Sequence, residues 1–161
     1  VLGDVLNAAV RVAAGEFIAK MDDDDFYGAD HIWDLVLARE YSGATLVGKA
    51  AEFVYLADED LTIRRMVGGA ESANATIAGG AFMVERAALK AVGGFRRLRL
   101  GEDRALIRDI AVLGGSLWRT HGFGYILNRH GTKHSWQAES SYFLEQAGSS
   151  RPGLDLDWCG L

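Results

Sequence analysis

Four consecutive aspartates, Asp22 to Asp25, follow directly after a short apolar stretch, Phe17 to Met21. The stretch is typical of a buried strand, so the acidic run should lie at its C-terminal end, the edge where open α/β sheets bind ligands. If the extended geometry continues, Asp22 and Asp24 point to one side and Asp23 points to the other. Neighbouring negative charges repel one another unless something positive neutralises them. The run therefore predicts a site for a hard divalent cation, with a solvated acidic turn as the alternative.

A second candidate cluster, Gly101-Glu102-Asp103-Arg104, opens a predicted helix that runs to Leu113. Helix N-termini attract acidic residues through the helix dipole, so charge matching is an equally good interpretation of this segment taken alone. The preceding basic stretch, Arg96 to Arg99, predicts a flexible, positively charged loop beside the two carboxylates. Glu102 and Asp103 are therefore candidates for a site next to that loop.

A third cluster, Asn128 to His134, places basic side chains and two imidazoles directly after a predicted strand. Basic groups such as Arg129 could contact a diphosphate, or one histidine, His130 or His134, could complete a metal site. A solvated surface histidine is the alternative for each imidazole taken singly. The cluster thus adds candidate partners for the cation site or for its anionic ligand.

The composition is that of one globular domain. The chain has 161 residues, of which 49% are hydrophobic and 24% charged, and its net charge is -5. The negative charge argues against nucleic acid as the main partner, and no apolar stretch approaches the ~20 residues of a transmembrane helix. The single Cys159 excludes an internal disulfide and fits a reducing compartment. We therefore expect a cytoplasmic protein, or one peripheral to the membrane in its full-length form. Because the chain begins at Val1 inside a predicted helix, we also expect it to be an excerpt from a longer protein.

Helical and extended segments alternate early in the chain, and strands dominate later, which predicts an α/β fold with a mixed sheet. Asp4, Asp30 and the glycines Gly15 and Gly43 are the expected ends of the first two helices. We expect the tail, residues 149–161, to be loose. Helices are expected at residues 5–14, 31–41, 85–92 and 102–113. Strands are expected at residues 17–21, 46–56, 61–66 and 75–84, with a hairpin turn at 57–60, and residues 116–128 should form one or two strands. The Gly79-Gly80 pair in the strand at 75–84 suggests that another backbone or a ligand approaches closely there.

Three segments, in this order, resemble the central and C-terminal portion of inverting GT-A glycosyltransferases of the family-2 type. The first, Leu6 to Tyr27, is similar to an Asn-Ala-Gly-like helix followed by Ala-x-Gly-Glu-Tyr-Ile, Asp-x-Asp-Asp and an aromatic residue. The second, Ala78 to Phe95, resembles the acceptor-side segment of that family, and the third, Gly101 to Arg108, resembles its Glu-Asp motif. The resemblance covers about Leu6 to Trp136. It implies a mixed-sheet GT-A-like α/β fold over residues 1–161, a partial domain from which the N-terminal nucleotide-binding half is missing.

The resemblance also implies roles on the donor side of such a site. Asp24 would be the main ligand of Mg²⁺ or Mn²⁺, and Asp22 would lie near the nucleotide ribose or the metal. His130 would be a further metal ligand, and Arg129 would meet the diphosphate.

On the acceptor side, the resemblance makes Asp103 the general base that takes the proton from an acceptor hydroxyl. Glu102 would orient Asp103 or bind the acceptor, and Gly80 would lie in the acceptor-side segment. A carboxylate base opposite the leaving group suits in-line displacement with inversion, and a metal would neutralise the charge of the departing diphosphate.

The implied function is transfer of a sugar from a nucleoside-diphosphate sugar to a hydroxyl of a glycan, lipid or other acceptor. The missing half could be the remainder of the same protein or a partner chain, and its absence would leave a sheet edge exposed. Two alternatives stay open: a fragment or assembly module of the same fold without turnover, and a different Mg²⁺-dependent enzyme that acts on phosphates. The transferase should bind a nucleotide, whereas the module without turnover should not. The transferase should also depend on Asp103, whereas the other Mg²⁺-dependent enzyme should not.

Overall fold

The computed structural model describes residues 1–131 and 138–161. The predicted site candidate His134, and Trp136 at the end of the family resemblance, lie outside the described residues. The helices are α1 (Leu2–Val12), α2 (His31–Ser42), α3 (Arg86–Ala91), α4 (Glu102–Val112), α5 (Ser140–Leu144) and α6 (Leu156–Cys159). The strands are β1 (Phe17–Met21), β2 (Phe26–Tyr27), β3 (Leu46–Lys49), β4 (Phe53–Leu56), β5 (Leu61–Arg65), β6 (Ala81–Glu85), β7 (Leu117–Thr120), β8 (Tyr125–Arg129) and β9 (Ala147–Pro152).

The first sheet has the order β1-β6-β3-β7 and is mixed, as the sequence predicts. Strand β6 is antiparallel to both of its neighbours, and β3 is parallel to β7. The register places Met21, the last residue of β1, opposite Ala81, the first residue of β6. The acidic run therefore leaves the sheet at the point where the Gly79-Gly80 pair enters it.

The second sheet has the order β2-β8-β4-β5-β9. Since β1 belongs to the first sheet and β2 to the second, residues 22–25 form the crossing between the two sheets. Phe26 pairs with Ile126, which brings the end of the acidic run against β8. The chain returns to the first sheet after β2 and after β5, and it passes to the second sheet again after β3 and after β7. The segments 46–56 and 116–128 are therefore two strands each; the sequence permitted this for 116–128 but predicted one strand for 46–56.

The core of the first sheet holds the helices in place. One face packs against α4 through Leu106, Ile107 and Ile110, together with Phe82 and Val84 of β6. Burial of each such side chain contributes about 1.5–3 kcal/mol relative to exposure. In a second hydrophobic cluster against this sheet, Leu35 and Ala38 of α2 pack with Val47 of β3 and Met83 of β6. This packing fixes the N-terminus of α4 relative to the start of β6. Among the described residues, no helix is both long and apolar enough to cross a membrane.

Helix ends agree with the sequence only in part. Helix α2 ends at Gly43 in the left-handed conformation, as predicted, with φ of 66°. Helix α1 begins at Leu2, so Asp4 lies in its first turn and is not the cap, and the helix ends at Val12 because Ala13 is extended. The predicted strand at 75–84 is confirmed only from Ala81 onward.

The prediction of a loose tail is wrong. Strand β9 pairs antiparallel with β5, and α6 follows it with Asp155 accepting a hydrogen bond of 2.9 Å from the backbone N–H of Trp158. Cys159 is fully buried and packs against Phe53 and Ile126. The polar residues that suggested disorder lie on an exposed edge strand, while the apolar residues that follow them anchor the chain end.

Candidate active site

The acidic run forms a turn between β1 and β2, so the strand alternation used to orient Asp22 and Asp24 does not hold beyond Met21. A positive partner is also built into the fold. The buried Lys20, 6% exposed, donates a hydrogen bond of 2.6 Å from Nζ to Oδ1 of Asp22. Part of the negative charge is therefore neutralised by a lysine, and charge repulsion alone does not require a metal here.

Tyr27 fixes the first aspartate of the turn. Its hydroxyl accepts a hydrogen bond of 2.7 Å from the backbone N–H of Asp22 and donates one of 2.7 Å to the carbonyl of Gly80. Burial, together with the neighbouring carboxylates, raises the pKa of Tyr27, so the hydroxyl keeps the proton that it donates. The turn and the start of β6 are thereby held together by one side chain.

Asp25 holds the other end of the turn, although the sequence analysis gave it no role. Its Oδ2 accepts a hydrogen bond of 2.8 Å from the hydroxyl of Tyr125, and its Oδ1 accepts one of 2.9 Å from the backbone N–H of Asn128. Burial raises the pKa of Asp25 to about 6, although these two hydrogen bonds act in the opposite direction. Nothing in the local sequence distinguishes Asp25 from its neighbours, because its partners lie about a hundred positions away along the chain.

The Gly79-Gly80 pair brings the acidic turn together with Asp103. A Cβ at Gly79 would lie 1.5 Å from Oδ2 of Asp103, and a Cβ at Gly80 would lie 2.7 Å from Oδ2 of Asp22. Consecutive Cα atoms are only about 3.8 Å apart. The carboxylates of Asp22 and Asp103 therefore converge on neighbouring stretches of one backbone, from two separate elements of the fold. The close approach predicted at these glycines is present, in a loop and not within a strand.

Asp103 lies in the first turn of α4, one residue after the buried Glu102, which is 7% exposed. Oδ1 of Asp103 accepts a hydrogen bond of 2.6 Å from the N–H of Arg104, which leaves Oδ2 directed toward Gly79. The basic loop before α4 is partly engaged in ion pairs: Arg96 binds Asp109 through two hydrogen bonds. Arg97 likewise pairs with Asp4 at 2.9 Å.

The third cluster reaches the acidic turn through β8. Oδ2 of Asp24 and Nε2 of His130 are 3.9 Å apart, and both side chains are partly exposed. Nδ2 of Asn128 donates a hydrogen bond of 2.9 Å to the backbone carbonyl of Asp24. Arg129 instead donates a hydrogen bond of 3.1 Å to the carbonyl of Ala138, and burial lowers its pKa. The structure thus places His130 beside Asp24 and directs at least one contact of Arg129 away from the turn.

Asp24 and His130 are the two side chains of this cluster that could supply donor atoms to a divalent cation. In the part of the chain that the structure describes, no group of three or more His, Cys, Asp or Glu side chains is arranged to hold a metal ion. Asp24 and His130 are nevertheless spaced so that one ion, about 2.1 Å from each ligand, fits between them. Mg²⁺ commonly takes only one or two carboxylates and completes its shell with water and substrate phosphates. The residues present therefore fit a weakly held ion that a phosphate-bearing ligand completes.

Comparison with known proteins supports the architecture. No protein-family model and no curated protein sequence matches the chain. It is similar to the crystal structure of S. aureus TarS residues 1–349 in complex with UDP-GlcNAc, with a TM-score of 0.61 and 18% identity over 86% of this chain. A second structure of S. aureus TarS 1–349 gives a TM-score of 0.54 and 15% identity over 78% of this chain.

The chain spans 42% and 40% of the length of those two TarS chains. At this level of identity the likeness is one of fold. The chain has a mixed α/β architecture consistent with part of a GT-A-like, glycosyltransferase-like fold.

Proposed function

We propose that residues 1–161 form part of the GT-A domain of an inverting, family-2-type glycosyltransferase that uses a nucleoside-diphosphate sugar. The convergence of Asp103 and the acidic turn on the Gly79-Gly80 backbone is the observation that carries this proposal. It supports a cleft with a carboxylate on each side, one for the acceptor and one for the donor. The complex of S. aureus TarS with UDP-GlcNAc makes a UDP-sugar the first donor to test.

On the donor side, Asp24 and His130 are the residues that would hold Mg²⁺ or Mn²⁺. When bound there, such an ion would act as a Lewis acid that neutralises the charge of the departing diphosphate. Asp22, whose Oδ1 is engaged by Lys20, is better placed to accept a hydrogen bond from the ribose or to assist at the metal through Oδ2. Arg129 would contact the diphosphate by reorienting from the carbonyl of Ala138.

On the acceptor side, Oδ2 of Asp103 accepts the proton of the attacking hydroxyl. The hydroxyl oxygen forms a bond to the anomeric carbon from the face opposite the diphosphate. The bond from that carbon to the diphosphate oxygen breaks, the diphosphate leaves with the electron pair, and the configuration inverts. Glu102 supports Asp103 from its buried position, and Gly80 leaves space between the carboxylates of Asp22 and Asp25.

The test is sugar transfer by the full-length protein carrying Asp103→Asn. Loss of a general base should lower kcat by about 10²–10⁴-fold while donor affinity changes little. Asp4→Asn is the matched control, because Asp4 also lies in the first turn of a helix, α1, and its ion pair with Arg97 is exposed. Both variants should lose about 1 kcal/mol or less of stability through the helix dipole. Normal turnover of Asp103→Asn with a lowered melting temperature would contradict the catalytic role.

A module without turnover is the second candidate. The ion pair between Lys20 and Asp22 favours it, because it stabilises the acidic turn without a metal. Under this alternative the full-length protein neither binds a UDP-sugar nor transfers it, and Asp103→Asn has only the stability effect. A Mg²⁺-dependent enzyme of another kind would act on phosphates and show no dependence on Asp103.

A further inference from the structure

We infer that Asp25 is a positioning residue, which holds the C-terminal end of the acidic turn on β8 so that Asp24 faces the cleft. The inference deepens the proposed function and rests on it for its catalytic consequence. Its structural part, the attachment of the turn to β8, stands on geometry alone. Asp25 is thereby distinguished from the other three aspartates of the run, which share its charge.

The contacts of Asp25 point into the protein. Tyr125, the first residue of β8, is 1% exposed, and its hydroxyl donates to Oδ2 of Asp25. The backbone N–H of Asn128 donates to Oδ1, so each oxygen of the carboxylate already accepts a hydrogen bond from β8. A buried hydroxyl needs an acceptor, because leaving it without one carries the full desolvation penalty, and the part-buried N–H of Asn128 incurs part of the same cost. This arrangement suits an anchor and leaves Asp25 poorly placed to ligate a metal.

The anchor also acts on the neighbouring residue. The side-chain amide of Asn128 donates a hydrogen bond of 2.9 Å to the carbonyl of Asp24. Asn128 therefore binds the turn twice, through its backbone to Asp25 and through its side chain to Asp24. Because Asp25 and Asp24 are both fixed to one residue of β8, the Asp24 carboxylate is held on the side where His130 lies 3.9 Å away.

The other end of the turn is held independently of Asp25. Tyr27 binds the N–H of Asp22 and the carbonyl of Gly80, and Lys20 binds the Asp22 carboxylate. Loss of the Asp25 contacts should therefore loosen the end of the turn that carries Asp24, while Asp22 stays in place. In enzyme sites, a displacement of about 1 Å can lower the rate by roughly 10²-fold. The expected defect is in use of the donor, because Asp24 lies on the proposed donor side.

The experiment compares Asp25→Ala, Asp25→Asn and Asp23→Ala in the full-length protein. Asp23 is exposed and belongs to the same run, so Asp23→Ala is a control for the loss of one negative charge. Amide hydrogen exchange at Asn128 is measured without ligand, and binding of Mn²⁺ with UDP and the kinetics of transfer are measured separately. Asp25→Ala should speed exchange at Asn128 at least tenfold, weaken Mn²⁺–UDP binding and raise the donor KM while the acceptor KM is unchanged. Asp25→Asn keeps an acceptor oxygen for Asn128 and should recover most of both properties, and Asp23→Ala should resemble wild type.

The outcomes separate the anchor from the proposed function. If Asp25→Ala speeds exchange at Asn128 but the wild type shows no Mn²⁺-dependent transfer, the anchor stands and the transferase proposal fails. If exchange at Asn128 is unchanged in Asp25→Ala, or if Asp25→Asn loses Mn²⁺ binding as completely as Asp25→Ala, the positioning role is overturned. Should Asp25→Ala fail to fold, Tyr125→Phe removes one of the two hydrogen bonds at constant ring volume. That variant should show a smaller change of the same kind. If Tyr125→Phe has both the exchange rate at Asn128 and the donor KM of the wild type, the inference is also overturned.

Discussion

Substitution of Gly79 by alanine tests the geometry of the site without removing any functional group. A Cβ at this position would lie 1.5 Å from Oδ2 and 2.6 Å from Cγ of Asp103. Ordinary contact between such atoms is about 3.5–4 Å, so the carboxylate must move by roughly 2 Å. Gly79 does not have a positive φ, and its backbone accepts alanine without strain. The displacement therefore falls on the Asp103 side chain, which can turn outward because it is only partly buried.

The expected size of the effect follows from this displacement. A misplacement of about 1 Å can cost roughly 10²-fold in rate, so Gly79→Ala should lower kcat by about 10²-fold or more, equivalent to roughly 2.7 kcal/mol in the barrier. Stability should change by no more than about 1 kcal/mol, because glycine-to-alanine changes at compatible backbone positions are mild or stabilising. Gly148→Ala is the matched control, since the atom nearest its Cβ would be Cγ of the exposed Met66, 2.8 Å away, and the nearest backbone atom lies at an ordinary contact distance of 3.7 Å.

The assay is sugar transfer by the full-length protein, with the melting temperature measured on the same preparations. Gly79→Ala and Asp103→Asn should act on the same carboxylate, so the double variant should be no slower than the slower single variant. Transfer at a near wild-type rate by folded Gly79→Ala would refute the reasoning, because it would show that the position of Asp103 does not matter. Multiplicative losses in the double variant would show that Gly79 acts through some other group.

Elements whose signals are local were predictable from the sequence. The period of apolar residues and Gly43 located α2, and the short apolar stretch located β1, because both depend on neighbours in the chain. The hairpin of β4 and β5 was predictable for the same reason. The division of 46–56 between two sheets was not predictable, because both halves are largely buried and the charged residues near the crossing, Lys49 and Glu52, do not show that the halves pair in different sheets. The ordered tail was missed because its polar strand pairs with β5, far away in sequence.

The site shows the same limit. The types of the candidate residues in the acidic run and at the start of α4 were recognisable, and the structure brings both groups to Gly79 and Gly80. The geometry within the acidic run was not predictable, because side-chain alternation applies to strands and the run is a turn. The partners that fix this turn are Lys20, Tyr27, Tyr125 and Asn128, and two of them come from β8, about a hundred residues downstream. Single side chains that complete a site across the fold leave no periodic pattern in the sequence.

Two further predictions concern the donor side and the support beneath it. Asp24→Asn should abolish Mn²⁺-dependent binding of UDP in the full-length protein by titration calorimetry, whereas Asp23→Asn should have a small effect; equal binding by wild type and Asp24→Asn would remove the metal role. The second concerns His31, which is 2% exposed and packs edge-on against Tyr27 with ring centroids 4.7 Å apart. Burial, followed by the charge of Lys49, lowers the pKa of His31 from 6.5 to about 4. Because the unfolded chain then binds more protons between those two values, the stability due to neutral His31 is complete above about pH 6.5 and is lost as the pH falls towards 4. Across this window, the free energy of unfolding of His31→Phe should vary with pH less than that of the wild type, by at most about 3 kcal/mol. Urea denaturation at several pH values measures this difference. An unchanged pH profile in His31→Phe would show that His31 titrates alike in both states and does not support Tyr27 as a buried neutral ring.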